Sequence, residues 1–185
     1  MQRQALVASI AEYGLRYPQE HITVARFAAF VAAQPRCFER SLLEGHVTGS
    51  AWLVHPDEQQ VLLTHHRKLD IWVQLGGHAD GDSDMLRVAL REAQEESGLS
   101  NIAVVDPHIF DLDVHLIPAR SNEPAHYHYD VRYALRVVGN SVTDTCFRVS
   151  SESKALAWST INGLATLTSE ASMLRMALKW HSRTG

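Results

Sequence analysis

The sequence predicts an α/β fold in which helices cover both sides of a mixed β-sheet, with a short helical extension at the N-terminus. Two observations carry this prediction. After about residue 45, short apolar stretches with a period of two alternate with stretches of helical period, whereas the first 44 residues contain only helical patterns. The length of 185 residues fits one domain, and 45% hydrophobic residues suffice for a sizeable core.

Two helices are predicted in the N-terminal extension, which we assign to residues 1–44. Leu6, Val7, Ile10 and Leu15 form the apolar stripe of the first helix. The second helix begins with Thr23 as its N-cap and stops before Pro35. Because both apolar stripes need cover, we expect the extension to pack on the main domain, residues 45–185.

The main domain alternates between predicted strands and helices. Alternating or short apolar patterns predict strands over residues 47–54, 61–64, 72–75, 110–116 and 126–137, and a last strand that ends near Trp158. The third of these is predicted to end at Gly76-Gly77. Helices are predicted over residues 85–97, ending at Gly98, and over residues 170–180. These elements form a three-layer α/β/α sandwich.

Composition and charge exclude several classes of function. With 17 Lys and Arg against 21 Asp and Glu, the net charge of −4 disfavours nucleic acid as a partner. It leaves room for a small anionic ligand, since a bound divalent metal can supply positive charge locally. Cys37 and Cys146 are too few and too far apart for a disulfide framework or a zinc finger. The sequence offers neither a signal peptide nor an apolar run of membrane-spanning length, so we expect a cytoplasmic protein without membrane partners.

Three glutamates on the helix of residues 85–97 carry the strongest chemical pattern. Glu92, Glu95 and Glu96 stand at positions i, i+3 and i+4, opposite the apolar side of the helix, so their carboxylates lie within reach of one another. Like charges at this spacing repel, and a divalent cation removes that penalty. Mg²⁺ prefers such oxygen ligands together with substrate phosphates. The alternative is an acidic stripe that faces solvent, which the flanking residues disfavour.

The flanking residues give this helix a recognisable context. Gly76 and Gly77 precede it, Arg91 can orient a carboxylate through forked hydrogen bonds, and Gly98-Leu99 ends it. From Gly77 to the run Arg91-Glu92-Ala93-Gln94-Glu95-Glu96-Ser97-Gly98-Leu99, the segment resembles the Nudix box in residue types and spacing. The chain is therefore similar to the Nudix hydrolases, and the resemblance implies a Nudix-type α/β/α fold.

The resemblance implies a Mg²⁺ (or Mn²⁺) cofactor held by Glu92, Glu95 and Glu96, with Arg91 completing the catalytic set. One position departs from the motif, because Ser83 stands where the box has its first glutamate. In the family that glutamate supports the loop and its partner arginine. The substitution therefore raises the question of whether this loop is rigid and how Arg91 is held.

A second polar constellation lies on the two strands near residues 110–137. His126, His128, Asp130 and Arg132 share one face of the later strand, and the earlier strand places Asp111, Asp113 and His115 on one face. Hairpin pairing predicts His115 opposite His126 and Asp113 opposite His128. A solvent-facing polar surface and the lining of a substrate pocket explain the pattern equally well. A zinc site is a third alternative, ranked below both.

These predictions combine into one functional hypothesis. The protein hydrolyses a diphosphate linkage in a nucleoside diphosphate linked to another moiety, with Gly77, His78, His126 and His128 as substrate contacts. Glu152 is the predicted further metal ligand or general base. The alternatives are a nucleoside triphosphate pyrophosphatase that cleans up damaged nucleotides, and a regulator that binds its ligand after losing catalysis. Homodimers are common among such folds, so a homodimer is an alternative to a monomer.

Overall fold

A computed structural model of the chain describes residues 2–67, 70–120, 124–139, 141–150 and 153–184. The four α-helices are α1 (Gln2–Arg16), α2 (His21–Ala33), α3 (Met85–Ser97) and α4 (Ala171–Thr184). The seven strands are β1 (Gly45–Val54), β2 (Gln60–His66), β3 (Trp72–His78), β4 (Ile102–Val104), β5 (Asp111–Ile117), β6 (His126–Val137) and β7 (Ser153–Thr160). Glu152, the predicted further ligand or base, lies outside the described residues.

The strands form one mixed sheet in the order β4-β6-β1-β3-β2-β7, and β5 also pairs with β6. The first part of β6 pairs with β5 and its last residues pair with β4. The pairing of β1 with β6 is parallel and runs from Gly45–Tyr127 to Val54–Arg136, whereas the other described pairings are antiparallel. The beginning of β1, the beginning of β6 and the end of β3 therefore lie at the same end of the sheet.

Helices cover both faces of this sheet, which confirms the predicted α/β/α sandwich. On one face, which we call the helix-α3 face, α1, α2 and α3 pack on residues such as Val47, Ala51 and Val131. On the opposite face, which we call the helix-α4 face, α4 packs on Trp52, Val61 and their neighbours. Apolar residues fill both layers, because helices cover both faces of the sheet and its central strands are buried on both sides.

The N-terminal helices pack on the helix-α3 face as their apolar stripes predicted, although two details differ. Thr23 lies inside α2, which begins at His21, so the predicted N-cap is wrong. Leu15 is exposed, and Tyr13 is the buried residue of the last turn of α1. Tyr13 is buried because its hydroxyl accepts a hydrogen bond from Lys179 on α4. The division of the chain at residues 44 and 45 stays a prediction.

Two strand predictions need correction. Strand β3 does not end at the glycines but continues to His78, because Gly76, Gly77 and His78 pair with Ser50, Gly49 and Thr48 of β1. The β5–β6 hairpin places His115 opposite His128 and pairs Asp113 with Asp130, so the predicted register is wrong by two residues. A register shift of two keeps each side chain on its predicted face, because the side-chain period of a strand is two. Strand β4 was not predicted.

Within the described ranges, no helix combines the length and the apolar character that crossing a membrane requires.

Candidate active site

Local hydrogen bonds define the start and the end of α3. Asp84 caps the helix by accepting a hydrogen bond from the backbone N–H of Arg87, and Asp82 accepts two hydrogen bonds from the Arg87 guanidinium. At the other end, Gly98 has a φ of 71°, a left-handed conformation that glycine adopts without strain. The short loop before α3 is thus fixed by its own aspartates.

A close approach between β3 and α3 explains the second glycine of the pair. A Cβ atom on Gly77 would lie 2.6 Å from Cδ of Glu92, so any side chain at this position would displace the Glu92 carboxylate. Gly77 pairs with Gly49 of β1, where a Cβ would meet Val88 of α3 at 2.7 Å. Two glycines side by side let α3 lie directly on the sheet and bring Glu92 against the backbone of β3.

Arg91 links the helix to the end of β3. Its guanidinium donates to the backbone carbonyl of His78 at 2.8 Å and to Glu92 at 2.7 Å, and its Nε lies 3.9 Å from Glu95. Arg91 therefore holds the Glu92 carboxylate in place, as the sequence predicted. The guanidinium does so without help from a glutamate at position 83.

This geometry answers the question raised by Ser83. The loop is held by the bonds of Asp82 and Asp84 to Arg87, and by an ion pair in which Arg40 donates to Asp80 at 2.6 Å. The hydrogen bond from Arg40 holds the pKa of Asp80 below its usual range. These contacts hold the loop with Ser83 in place, and Arg91 keeps its bonds to His78 and Glu92.

The three glutamates differ in exposure, which corrects the prediction that all three lie together on the side of α3 opposite its apolar residues. The Glu95 side chain is 64% exposed and that of Glu92 is 15% exposed, whereas Glu96 as a residue is 7% exposed. Glu96 is adjacent to Ser97, which points into the core, so the end of α3 turns Glu96 toward the protein. Among the described residues, the three carboxylates do not form a group with all ligand atoms within 4.8 Å.

The donor set nevertheless fits a hard divalent cation. Three carboxylates lie on one helix, Glu92 lies close against Gly77 of β3, and Arg91 lies beside Glu92 and Glu95. Mg²⁺ is bound in proteins by carboxylate oxygens. A bound cation would offset the repulsion between the three like charges, and the exposed side chain of Glu95 can change rotamer to reach it.

The polar residues at the helix-α4 face are buried, so their interpretation as a solvent-facing surface is wrong. Arg132 is 2% exposed and donates to Asp130 at 2.7 Å and to Asp111 at 3.1 Å. From α4, Arg175 and Lys179 also donate to Asp111, at 2.7 Å and 2.6 Å. The two cations of α4 offset the free-energy cost of burying Asp111. The residue patterns of β5 and β6 alone could not have predicted these cations.

Five histidines lie together where β1, β3 and β6 meet, beside this ion network. His46 of β1 has its ring centroid 4.9 Å from that of His78, 5.0 Å from that of His126 and 4.9 Å from that of His128. The ring of His115 lies 5.5 Å from that of His128. We call this set the histidine cluster.

Burial and mutual repulsion keep two of these rings neutral. Desolvation, with the neighbouring rings of His78 and His126, lowers the pKa of His46 to about 4. Desolvation, with His115 and His46, lowers the pKa of His128 to about 2. Neutral imidazoles offer a lone pair to a metal or to a hydrogen-bond donor.

A sequence model of the NUDIX domain matches residues 46–177. The chain belongs to the Nudix family. The match covers the sheet, α3 and the first half of α4, and the family assignment made from the residue 77–99 motif is thereby confirmed. No curated protein sequence matches the chain significantly.

Solved structures share the fold of this Nudix protein at low sequence identity. The NUDIX domain of NrtR from Shewanella oneidensis, solved with ADP ribose, superposes with a TM-score of 0.53 at 16% identity, over 85% of this chain and 98% of that one. An Ap4A hydrolase from C. elegans gives 0.52 at 13%, over 75% and 96%. A NUDIX-family hydrolase from Clostridium perfringens gives 0.53 at 21%, over 75% and 97%.

The site contains one residue that the sequence analysis missed. His78, His126 and His128 were singled out, but His46 was not, although it stands among the buried side chains of the same end of the sheet. His46, Thr48 and Ser50 alternate at the start of β1, and all three are buried. Polar residues at every second position of an otherwise apolar strand were the signal that could have identified His46.

Proposed function

We propose that this Nudix protein hydrolyses a diphosphate linkage in a nucleoside diphosphate linked to another moiety, with Mg²⁺ or Mn²⁺ as the cofactor. One observation carries the proposal: Glu92 sits in the cradle at Gly77 while Arg91 holds it from the other side. Three neighbouring glutamates repel one another, so an acidic surface without a ligand would be destabilised by this arrangement. The same arrangement favours the binding of a cation, and Arg91 positions one of the carboxylates for it.

The proposed roles follow from the chemistry of the side chains. Glu92, Glu95 and Glu96 would hold the cation, which when bound neutralises the diphosphate and makes water a better nucleophile. Arg91 orients the carboxylates. Water attacks one phosphorus atom, the bridging P–O bond breaks, and the water proton passes to a carboxylate. Glu95, the exposed glutamate of α3, is one candidate for this base, and Glu152 remains the second.

The four proposed substrate contacts are Gly77, His78, His126 and His128. They belong to β3 and β6 at the end of the sheet where α3 carries its glutamates. We therefore propose that the diphosphate binds at the glutamates and that the organic part of the substrate extends toward these histidines. Two structural neighbours, an Ap4A hydrolase and a domain complexed with ADP ribose, are consistent with a substrate of this class.

A hydrolysis panel tests the proposal. It would include ADP-ribose, nucleotide sugars, dinucleoside polyphosphates, CoA and nucleoside triphosphates, each with Mg²⁺ or Mn²⁺. We expect Glu95→Gln to lower kcat/KM by about 100-fold or more, the usual cost of losing one group that stabilises transition-state charge. Glu12→Gln, the same change on an exposed residue of α1, is the matched control and should leave kcat/KM unchanged.

Each outcome selects one hypothesis. Turnover restricted to nucleoside triphosphates would favour the nucleotide clean-up alternative. Tight binding of one compound without turnover would favour the ligand-binding regulator. Hydrolysis that survives Glu95→Gln would refute the assignment of the reaction to α3.

A further inference from the structure

Three residues of the histidine cluster come from three neighbouring strands. His46 belongs to β1, His78 to β3 and His128 to β6, and the register pairs His46 directly with His128. One nitrogen from each ring lies within 4.8 Å of one nitrogen from each of the other two. Three such donor atoms around a common centre form the geometry in which proteins hold a transition metal.

His46 supplies an independent observation. The residue is 1% exposed, and among the described residues neither of its ring nitrogens has a hydrogen-bond partner of acceptable geometry. A buried polar group of this kind is rare, because leaving it unsatisfied costs free energy. Its ring lies next to those of His78, His126 and His128, and one of its nitrogens lies within 4.8 Å of a ring nitrogen of His78 and of His128.

We propose that His46, His78 and His128 bind one divalent transition-metal ion, of which Zn²⁺ fits the three imidazole donors best, at a site separate from the glutamates of α3. Imidazole nitrogen is a ligand of intermediate softness that suits Zn²⁺, whereas Mg²⁺ prefers oxygen. The two donor sets therefore select different ions even when both are present.

Neighbouring residues orient the ligands. The Nδ1–H of His126 donates to the carbonyl of Pro124 at 2.9 Å, and Nε2 of His126 lies 3.3 Å from Nε2 of His128. This contact fixes the orientation of the His128 ring, as outer-shell partners of metal-binding histidines do. His115, whose side chain is 39% exposed, lies on the solvent side and marks a path for the ion to enter.

Three protein ligands leave one position of a tetrahedral ion open, as in zinc sites that receive water or a substrate. If the proposed hydrolase function holds, the substrate would bind the ion at this open position. His78 and His128 would then contact the substrate through the ion rather than directly. The metal site itself does not depend on that function, because it rests on residues of the opposite face of the sheet.

Metal binding tests the proposal directly. Purified metal-free protein, with millimolar Mg²⁺ present to occupy the carboxylates, would be titrated with Zn²⁺ by calorimetry and with Co²⁺ by visible absorption. We expect one ion per chain, with the intense Co²⁺ bands of a four-coordinate site and a Zn²⁺-dependent rise in Tm. His128→Gln and His78→Gln should each weaken Zn²⁺ binding by more than about 100-fold, beyond the 10–100-fold typical of an outer-shell change.

Matched variants separate the alternatives. His108→Gln changes an exposed histidine that pairs with Asp106 and should retain wild-type binding. Glu92→Gln should also retain binding, so loss of hydrolysis and loss of Zn²⁺ binding are distinguishable. His78 is half-buried, which makes His78→Gln the variant that tests the site if His128→Gln fails to fold, as judged by circular dichroism. Absence of Zn²⁺ binding to the wild type, or binding that survives both ligand substitutions, would overturn the proposal.

Discussion

The two faces of the sheet handle charge in opposite ways at the same end of the molecule. On the helix-α3 face, Glu92 and Glu95 lie beside Arg91, whereas Arg87, the other arginine of α3, pairs with Asp82 in the preceding loop. On the helix-α4 face, each buried carboxylate is balanced by a bonded cation, since Asp111, Asp113 and Asp130 bond Arg132, Arg175 or Lys179, and Glu20 pairs with Arg175 and Lys179. This balanced network is satisfied within the protein, whereas Glu92 and Glu95 of α3 share the charge of Arg91, and a bound cation would supply further positive charge. The comparison separates a structural ion network from a binding site.

The largest expected effect comes from removing a cation from the balanced network. Arg132→Met leaves Asp111 and Asp130 buried without a partner on β6, and we expect it to lower the free energy of unfolding by about 3–5 kcal/mol. Arg136→Met, four residues along the same strand, removes an exposed pair with Glu58 and should cost about 0–1 kcal/mol. Urea denaturation of the two variants measures both values, and equal costs would contradict the proposed contrast.

Gly76 and Gly77 are adjacent in β3 and face opposite sides of the sheet, so substituting each in turn compares the two faces. On Gly76 a Cβ would lie 2.9 Å from the Cα of Ser50, and on Gly77 it would meet the end of the Glu92 side chain. The backbone of Ser50 cannot move aside as a flexible side chain can. We therefore expect Gly76→Ala to lower the free energy of unfolding by about 1–3 kcal/mol. Gly77→Ala should cost less stability but lower kcat/KM more. Thermal unfolding and the hydrolysis assay, run on both variants, measure these effects. A larger loss of kcat/KM in Gly76→Ala than in Gly77→Ala would contradict the assignment of the reaction to the helix-α3 face.

The balanced network also predicts a pH dependence. Burial opposes the ionisation of Asp113, but the hydrogen bond from His115 and the charges of Arg132 and Arg175 hold its pKa below the usual range. A carboxylate with a lowered folded-state pKa stabilises the protein above the unfolded-state pKa of about 3.9, and this contribution disappears as the pH falls further. Asp113→Asn should therefore be less stable than the wild type near neutral pH, by about 1 kcal/mol or more.

Unfolding measured at pH 7 and at pH 3 checks the sign of this effect. The difference between the wild type and Asp113→Asn should shrink at pH 3. A difference that stays constant between the two pH values would show that packing, rather than charge, accounts for it.

The smallest effect concerns the departure from the Nudix box. Arg91 already bonds the carbonyl of His78 and the carboxylate of Glu92, so Ser83→Glu should change kcat/KM by less than about 3-fold. Ser83→Ala is the control for loss of the hydroxyl group. A gain of 10-fold or more in the glutamate variant would mean that the loop needs that carboxylate after all.

The sequence predicted the elements of this molecule better than their contacts. The bounds of α3, its C-cap at Gly98 and the motif around it follow from local periodicity and spacing, which a sequence displays directly. The burial of Glu96 does not, because a helical wheel cannot tell which neighbouring element covers the end of a helix. The register of β5 against β6 was wrong for a similar reason, since the connecting loop sets it.

The cations of the buried network could not be predicted either. Arg175 and Lys179 stand on α4, more than sixty residues from Asp111 along the chain, and nothing in the local pattern of β5 or β6 points to them. His46 is a different case. Its alternation with Thr48 and Ser50 was visible, and combining it with the parallel pairing of β1 and β6 would have placed it beside His128.

The parallel pairing of β1 with β6 also governs the order of events during biosynthesis. Residues 48 and 130, joined by a hydrogen bond, are 82 positions apart, so β1 leaves the ribosome long before its partner strand has been made. In that interval the centre of the sheet has one open side, and a contact of such long range closes slowly. Completion of β6 closes this open side, and β7 and α4, which follow in the chain, then complete the sheet and its second covering layer. The histidines of positions 46 and 128 first meet when β6 pairs with β1.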